Sequence, residues 1–162
     1  MIDNINNPDI KLRDRALLYI CYYCGPTVKE LQALRTSNIE ANERNILICF
    51  PDRKCIITDM EAKFVILRWN QKLLQHQNDI SFLARIKKNN IPIDAPISAV
   101  SINKIIQNQF PQATLKTFRE KLVCRFLENG KDENEIQDFL GFKSILALKK
   151  YKNMIFSFDF EN

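Results

Sequence analysis

The chain has 162 residues, 46% of them apolar and 27% charged, with a net charge of +5. That is the size and balance of one ordinary globular domain, long enough to bury a sizeable core. No apolar run approaches the roughly 18 residues of a membrane span, and the opening MIDNINNPD lacks the basic patch and apolar stretch of a secretory signal.

A cytoplasmic location is therefore expected, nucleoid-associated if the chain binds DNA. The five cysteines are odd in number and irregularly spaced, and the chain has a single histidine. Cys21-x-x-Cys24 has no second pair to complete a zinc site, so buried thiols in a reducing compartment are expected. No metal and no cofactor is foreseen. The mild basicity suits a nucleic-acid partner without requiring one.

Asn7-Pro8-Asp9 reads as a helix start, with a cap, a proline and an acid in the first turn. Leu12, Ala16, Leu17, Ile20 and Tyr23 then form a helical stripe, broken at Cys24-Gly25-Pro26-Thr27. Val28 to Leu34 is a short second helix. Ile46–Phe50 and Cys55–Thr58 are β-rich around Pro51-Asp52-Arg53-Lys54, a hairpin.

Met60 to His76 is helical, with Phe64, Leu67 and Leu74 on one side and His76 half-buried near its end. Asp79 to Asn90 is ambiguous, and its Lys87-Lys88 reads as a solvated turn. Ile91 to Pro96 must be extended or turning. Helices follow from Ser98 or Ser101 to Phe110, from Thr114 to Glu128, from Glu133 to Leu140 and from Ser144 to Asn153, with stops at Asn129-Gly130 and Gly141. The tail alternates, with Ile155, Phe156, Phe158 and Phe160 apolar. The fold class is mainly α with a small antiparallel β-sheet (α+β).

Two separated stretches carry a family likeness. The first is Arg13-Asp14-x-Ala16-Leu17-Leu18, Tyr22, Gly25, Glu30-Leu31 and Leu34. The second runs from Phe118-Arg119 through Leu127-Glu128-x-Gly130, Asp132, Ile136-Gln137, Leu140-Gly141 and Ser144-Ile145 to Tyr151. Together they resemble the catalytic domain of the tyrosine recombinases (phage integrase, Xer-type), over roughly residues 8 to 153. All three glycines of the chain fall on motif positions. The resemblance implies a catalytic-domain-like unit over residues 1–153 and a C-terminal tail over 154–162 that docks in cis or in trans. A neighbouring subunit or a recombinase partner would receive the tail in trans.

The resemblance also implies a chemistry. In this family a tyrosine attacks a DNA phosphate to give a 3′-phosphotyrosyl link, while two arginines neutralise the non-bridging oxygens. Cations fixed in place before reaction stabilise the charge that gathers in the transition state. Tyr151 matches the nucleophile and Arg119 the second arginine. Lys116 stands where the family has the histidine of its H-x-x-R motif, and lysine can still donate a proton and contact phosphate.

Three positions depart. Thr27 replaces the first arginine, a loss on the order of 3–4 kcal/mol for one charged contact. Glu120 replaces a histidine after Arg119, and Phe142 replaces a histidine or tryptophan donor. The hairpin lysine matches Lys54 or Arg53. Arg53, Lys54, Lys104, Lys143, Lys149 and Lys150, joined by Lys116 and Lys152, are the expected contacts to double-stranded DNA, since phosphate contacts need only positive charge and reach.

Three functions follow from the likeness. One is a DNA-binding, recombination-related domain with impaired or no strand cleavage. The others are an active recombinase working through Tyr151, and a regulatory protein that kept the fold and lost DNA.

Overall fold

The computed structural model describes the backbone of residues 1–158 and the side chains of residues 1–153. A single turn, α1 (Ile2–Ile5), precedes the central helix α2 (Leu12–Cys24). The Asn7-Pro8-Asp9 segment does not cap that helix, as its composition suggests. The Asn7 side chain instead accepts from the Asp9 amide at 3.0 Å, closing a local turn, and α2 begins after Lys11. From Ala16 to Cys21 every residue of α2 is fully buried, because α1, α4 and α6 pack around it.

Gly25 ends α2 in the left-handed region at φ 53°. A Cβ there would lie 3.0 Å from the Leu122 side chain and 3.4 Å from the Arg119 backbone, so glycine lets the later helix come close.

The next helix, α3 (Val28–Ala33), starts on a reciprocal cap. Thr27 Oγ1 accepts from the Glu30 amide at 3.2 Å. The Glu30 carboxylate accepts in return from the Thr27 amide at 2.8 Å. A three-stranded antiparallel sheet follows, in the order β1 (Ile39–Ala41), β2 (Ile46–Cys49), β3 (Lys54–Ile57). The hairpin is the expected one; β1 adds a strand that three residues are too short to announce by alternation. Ile46, Ile48, Cys55 and Ile57 point into the core, and Ile56 is exposed.

Helix α4 (Met60–Leu74) is capped by Asp59, whose carboxylate accepts from the Ala62 amide at 2.8 Å. Its buried stripe is Ala62, Val65, Ile66, Trp69 and Leu73, not the side bearing Phe64 and Leu74, which are exposed. The tryptophan decides the rotation. Its indole N–H donates to the Phe82 carbonyl at 2.7 Å, and a buried indole must face such a partner. His76 lies just past the helix and is exposed, correcting its expected half-burial.

The ambiguous segment resolves into a two-stranded hairpin, β4 (Ala84–Ile86) with β5 (Pro92–Pro96), turned by Asn90 at φ 61°. Arg35 ties it down through Asp79 at 2.8 Å and Asp94 at 2.9 Å.

Four helices complete the fold. Helix α5 (Ala99–Gln109) is capped by Ser98, and α6 (Leu115–Glu128) by Thr114. Helix α7 (Glu133–Leu140) is capped by Asp132 and ended by Gly141. The last helix, α8 (Leu146–Phe158), starts two residues later than its sequence suggests and runs beyond Asn153. The backbone of residues 154–158 is therefore helical rather than an alternating tail. The side chains of Ile155, Phe156 and Phe158, and all of Phe160, lie outside the described residues.

A second, smaller core of Leu122, Val123, Ile136, Leu140, Leu148 and Tyr151 joins α6, α7 and α8. Cys21, Cys24 and Cys55 are buried free thiols, while Cys49 and Cys124 are half-buried.

Candidate functional site

Two arginines from distant parts of the chain meet where α2 and α7 end. Arg119, on α6, donates to the Gly25 carbonyl at 2.9 Å and the Leu140 carbonyl at 2.7 Å. Arg53, from the β2–β3 turn, donates from one nitrogen to the Cys24 carbonyl at 2.9 Å and the Phe139 carbonyl at 2.7 Å. The acceptors are consecutive residues at two helix C-termini, where free carbonyls and the negative dipole end both favour a cation. Burial pulls the Arg119 pKa below its ordinary value, and the adjacent Arg53 charge pulls it further.

Arg53 is also paired. Its Nε meets Glu30 Oε1 at 2.7 Å. Its Nη2 meets Glu30 Oε2 at 3.0 Å, which completes a two-pronged bond. The guanidinium lies 4.7 Å over the Phe50 ring. Burial raises the Glu30 pKa, but the bond to Arg53 and that from the Thr27 amide outweigh it, so Glu30 sits below its ordinary value. Only 1% of the Arg53 side chain is exposed. Arg53 is thus removed from the expected DNA-contacting set: every polar edge of its guanidinium faces protein. Thr27 carries no charge into the site, its hydroxyl being engaged in the α3 cap.

Tyr151 projects from α8 into the second core and is 5% exposed. Its ring stacks on Phe142 at 6.2 Å and 19°, and Arg119 lies 4.7 Å from the centre of the same Phe142 ring. Phe142 thus contacts both the arginine and the tyrosine that the sequence pairs as clamp and nucleophile. Burial raises the Tyr151 pKa first and Glu120 adds to it, while Arg119 and Lys116 oppose. Lys116 is exposed, 3.6 Å from Glu120 one helical turn away. The structure brings Arg119, Glu120, Phe142 and Tyr151 together, with Lys116 at the rim.

Lys54, Lys104, Lys143, Lys149 and Lys150 are all exposed, and Lys150 lies 5.0 Å over the Tyr151 ring. Lys152 is taken by Glu133. Sequence reasoning missed Glu30 as the hub of this region. The signal was present: a threonine followed three residues later by a glutamate is the pattern of a capping box. No pattern linked it to Arg53. Among the described residues no group of three His, Cys, Asp or Glu could hold a metal, and no helix is long and apolar enough to cross a membrane.

Comparison with known proteins agrees with this architecture. The Phage integrase family pattern matches residues 1–156. The tyrosine recombinase XerC of Chlamydia muridarum is 29% identical over 156 residues, covering 88% of this chain and 47% of that protein. XerC of Actinobacillus succinogenes is 22% identical over 159 residues, covering 96% and 54%. The chain thus spans about half the length of the curated relatives it matches.

Among solved structures, the XerA recombinase superposes with TM-score 0.72 at 18% identity over 91% of this chain and 56% of that one. XerH bound to its difH substrate before cleavage superposes with TM-score 0.71 at 15% identity over 93% and 46%. With a family match over nearly its whole length, and helices and sheet laid out as in those recombinases, this chain belongs to the phage integrase family, the tyrosine recombinases.

Proposed function

We propose that this chain is a duplex-DNA-binding domain of site-specific recombination whose strand cleavage is impaired or lost. The observation that carries the reading is the stack of Arg119, Phe142 and Tyr151. A phosphate approaching Tyr151 needs free guanidinium edges; Arg53 is buried against Glu30 and two carbonyls, and Arg119 has two of its N–H donors committed to the Gly25 and Leu140 carbonyls. Thr27 offers no replacement charge. Burial first and Glu120 second raise the pKa of the Tyr151 hydroxyl, and Phe142, standing where the family has a proton donor, has no side-chain N–H to give. DNA contact is a lighter demand, which the exposed Lys54, Lys104, Lys143, Lys149 and Lys150 can meet.

The test uses a pool of nicked duplexes of randomised sequence, which would trap a covalent intermediate by losing the short leaving strand. The expected result is salt-dependent binding with no denaturant-resistant adduct. An adduct that forms with the wild type and disappears in Tyr151→Phe would establish the second reading, an active recombinase. That reading draws support from Arg119 and Tyr151 sharing the Phe142 ring as a neighbour and acting on each other's charge. Binding that is independent of salt would remove DNA altogether and leave the regulatory reading.

A further inference from the structure

A wide concavity lies away from Tyr151, at the other end of α2, between that helix's N-terminus, the C-terminal end of α4 and the β4–β5 turn, and has a volume of about 660 Å³. Lys11, Arg13, Lys72, His76, Lys87 and Lys88 line it, and none of its lining residues is a carboxylate. Three segments distant in sequence supply these groups. Of these groups only Arg13 has an ion pair among the described residues, with Asp14 at 3.0 Å; the four lysines are exposed.

We propose that this cleft is a second phosphate-backbone contact for duplex DNA. The proposal rests on the DNA-binding reading above and extends it to a surface that the family motifs reach only at Arg13. Like charges gathered in a concavity without counter-charges repel one another unless an anion sits among them. A wall built from three elements holds them there, whereas lysines on a convex face would spread. Helix α2 joins the two regions: Gly25 at its C-terminal cap supports Arg119, and Lys11 at its N-terminal cap opens the cleft. The 13 residues of this helix span about 20 Å, roughly six base-pair steps. A single bound duplex is long enough to reach both, and a polyanion with regularly spaced phosphates fits such separated cation clusters better than a compact anion does.

The experiment is fluorescence anisotropy with a labelled 30-base-pair duplex of arbitrary sequence, titrated at several salt concentrations. It compares the wild type with K72A/K87A/K88A and with K143A/K149A/K150A. All six side chains are exposed, and unchanged thermal melting checks the fold. The expected result is that the cleft variant binds about 10- to 100-fold more weakly at low salt. Its slope of log affinity against log salt should be shallower by about 2 to 3, near 0.9 per lost phosphate contact.

If the cleft variant keeps the wild-type slope while the α8 variant loses it, the cleft proposal is overturned and the DNA-binding reading stands. If the wild type itself shows no slope, both fall together. If poly-glutamate binding is lost in the cleft variant while DNA binding is intact, the cleft is a site for acidic peptides and the proposal is overturned.

Discussion

The two ends of α2 both carry basic groups and use them in opposite ways. At the C-terminal end Arg53 and Arg119 are held by four backbone carbonyls and Glu30, and Arg53 is all but shut away from water. At the N-terminal end Lys11, Lys72, Lys87 and Lys88 stand in an open cleft without ion pairs among the described residues. The difference separates charge that builds a protein from charge that is available to a ligand. A guanidinium whose N–H groups are already matched adds rigidity; an ammonium in water adds attraction. Motif matching weights the first end, and electrostatics weights the second.

The strongest challenge to that contrast is Arg53→Ala. Removing one partner of a buried pair leaves Glu30 and two carbonyls without their donor, and should cost about 3–5 kcal/mol, read by denaturant unfolding. A variant as stable as wild type would show Arg53 to be dispensable. The same pair sets a pH dependence. Glu30 has its pKa lowered on folding, so the unfolded chain binds its proton more readily. The stabilisation is complete above the ordinary glutamate value of about 4.3 and is lost as pH falls through the folded value. In Arg53→Lys the acid-side loss should be smaller, because a lysine cannot reproduce the two-pronged bond.

Phe142→Ala comes next, at about 1–2 kcal/mol for the lost ring stack and the cation–π contact. It should also open Tyr151 to water. Burial is the main cause of the raised Tyr151 pKa. Ultraviolet titration of the phenolate, with Tyr151→Phe as the reference, should therefore show it falling toward about 10. No movement would mean that another wall buries the tyrosine.

Thr27→Arg probes the closed end differently. It removes a side-chain cap worth about 1 kcal/mol and supplies a charge whose natural partner, Glu30, is already held by Arg53. No covalent adduct on the nicked-duplex pool is expected from it; adduct formation would show the rest of the site to be intact. The smallest effect belongs to Lys116→Ala, which breaks an exposed pair one helical turn apart. An exposed pair of this kind is worth about 0.5 kcal/mol at most, and thermal melting should barely move.

Much of the fold was legible because local chemistry announces it. Ser98, Thr114 and Asp132 cap helices where their spacing suggests, and Gly25 and Gly141 end them. The failures have local causes as well. Asn7 turned its side chain onto Asp9, and α4 rotated to bury Trp69 instead of Phe64. Arg119 and Tyr151 were singled out by their motif, and both lie against the Phe142 ring. Arg53 was read as a surface cation because nothing in Pro51-Asp52-Arg53-Lys54 says that Glu30, 23 residues earlier, waits for it.

Residue type and spacing along the chain were enough for the family and the order of the helices, and they nominated the groups that could handle a phosphate. Which of those cations are free is a matter of three dimensions. It depends on which carbonyls and carboxylates reach each one through space, and a residue's desolvation and partners are set by neighbours distant in sequence. The folded arrangement thereby buried Arg53 against Glu30, set the Phe142 ring against both Arg119 and Tyr151, and left the exposed Lys87-Lys88 turn lining a basic cleft.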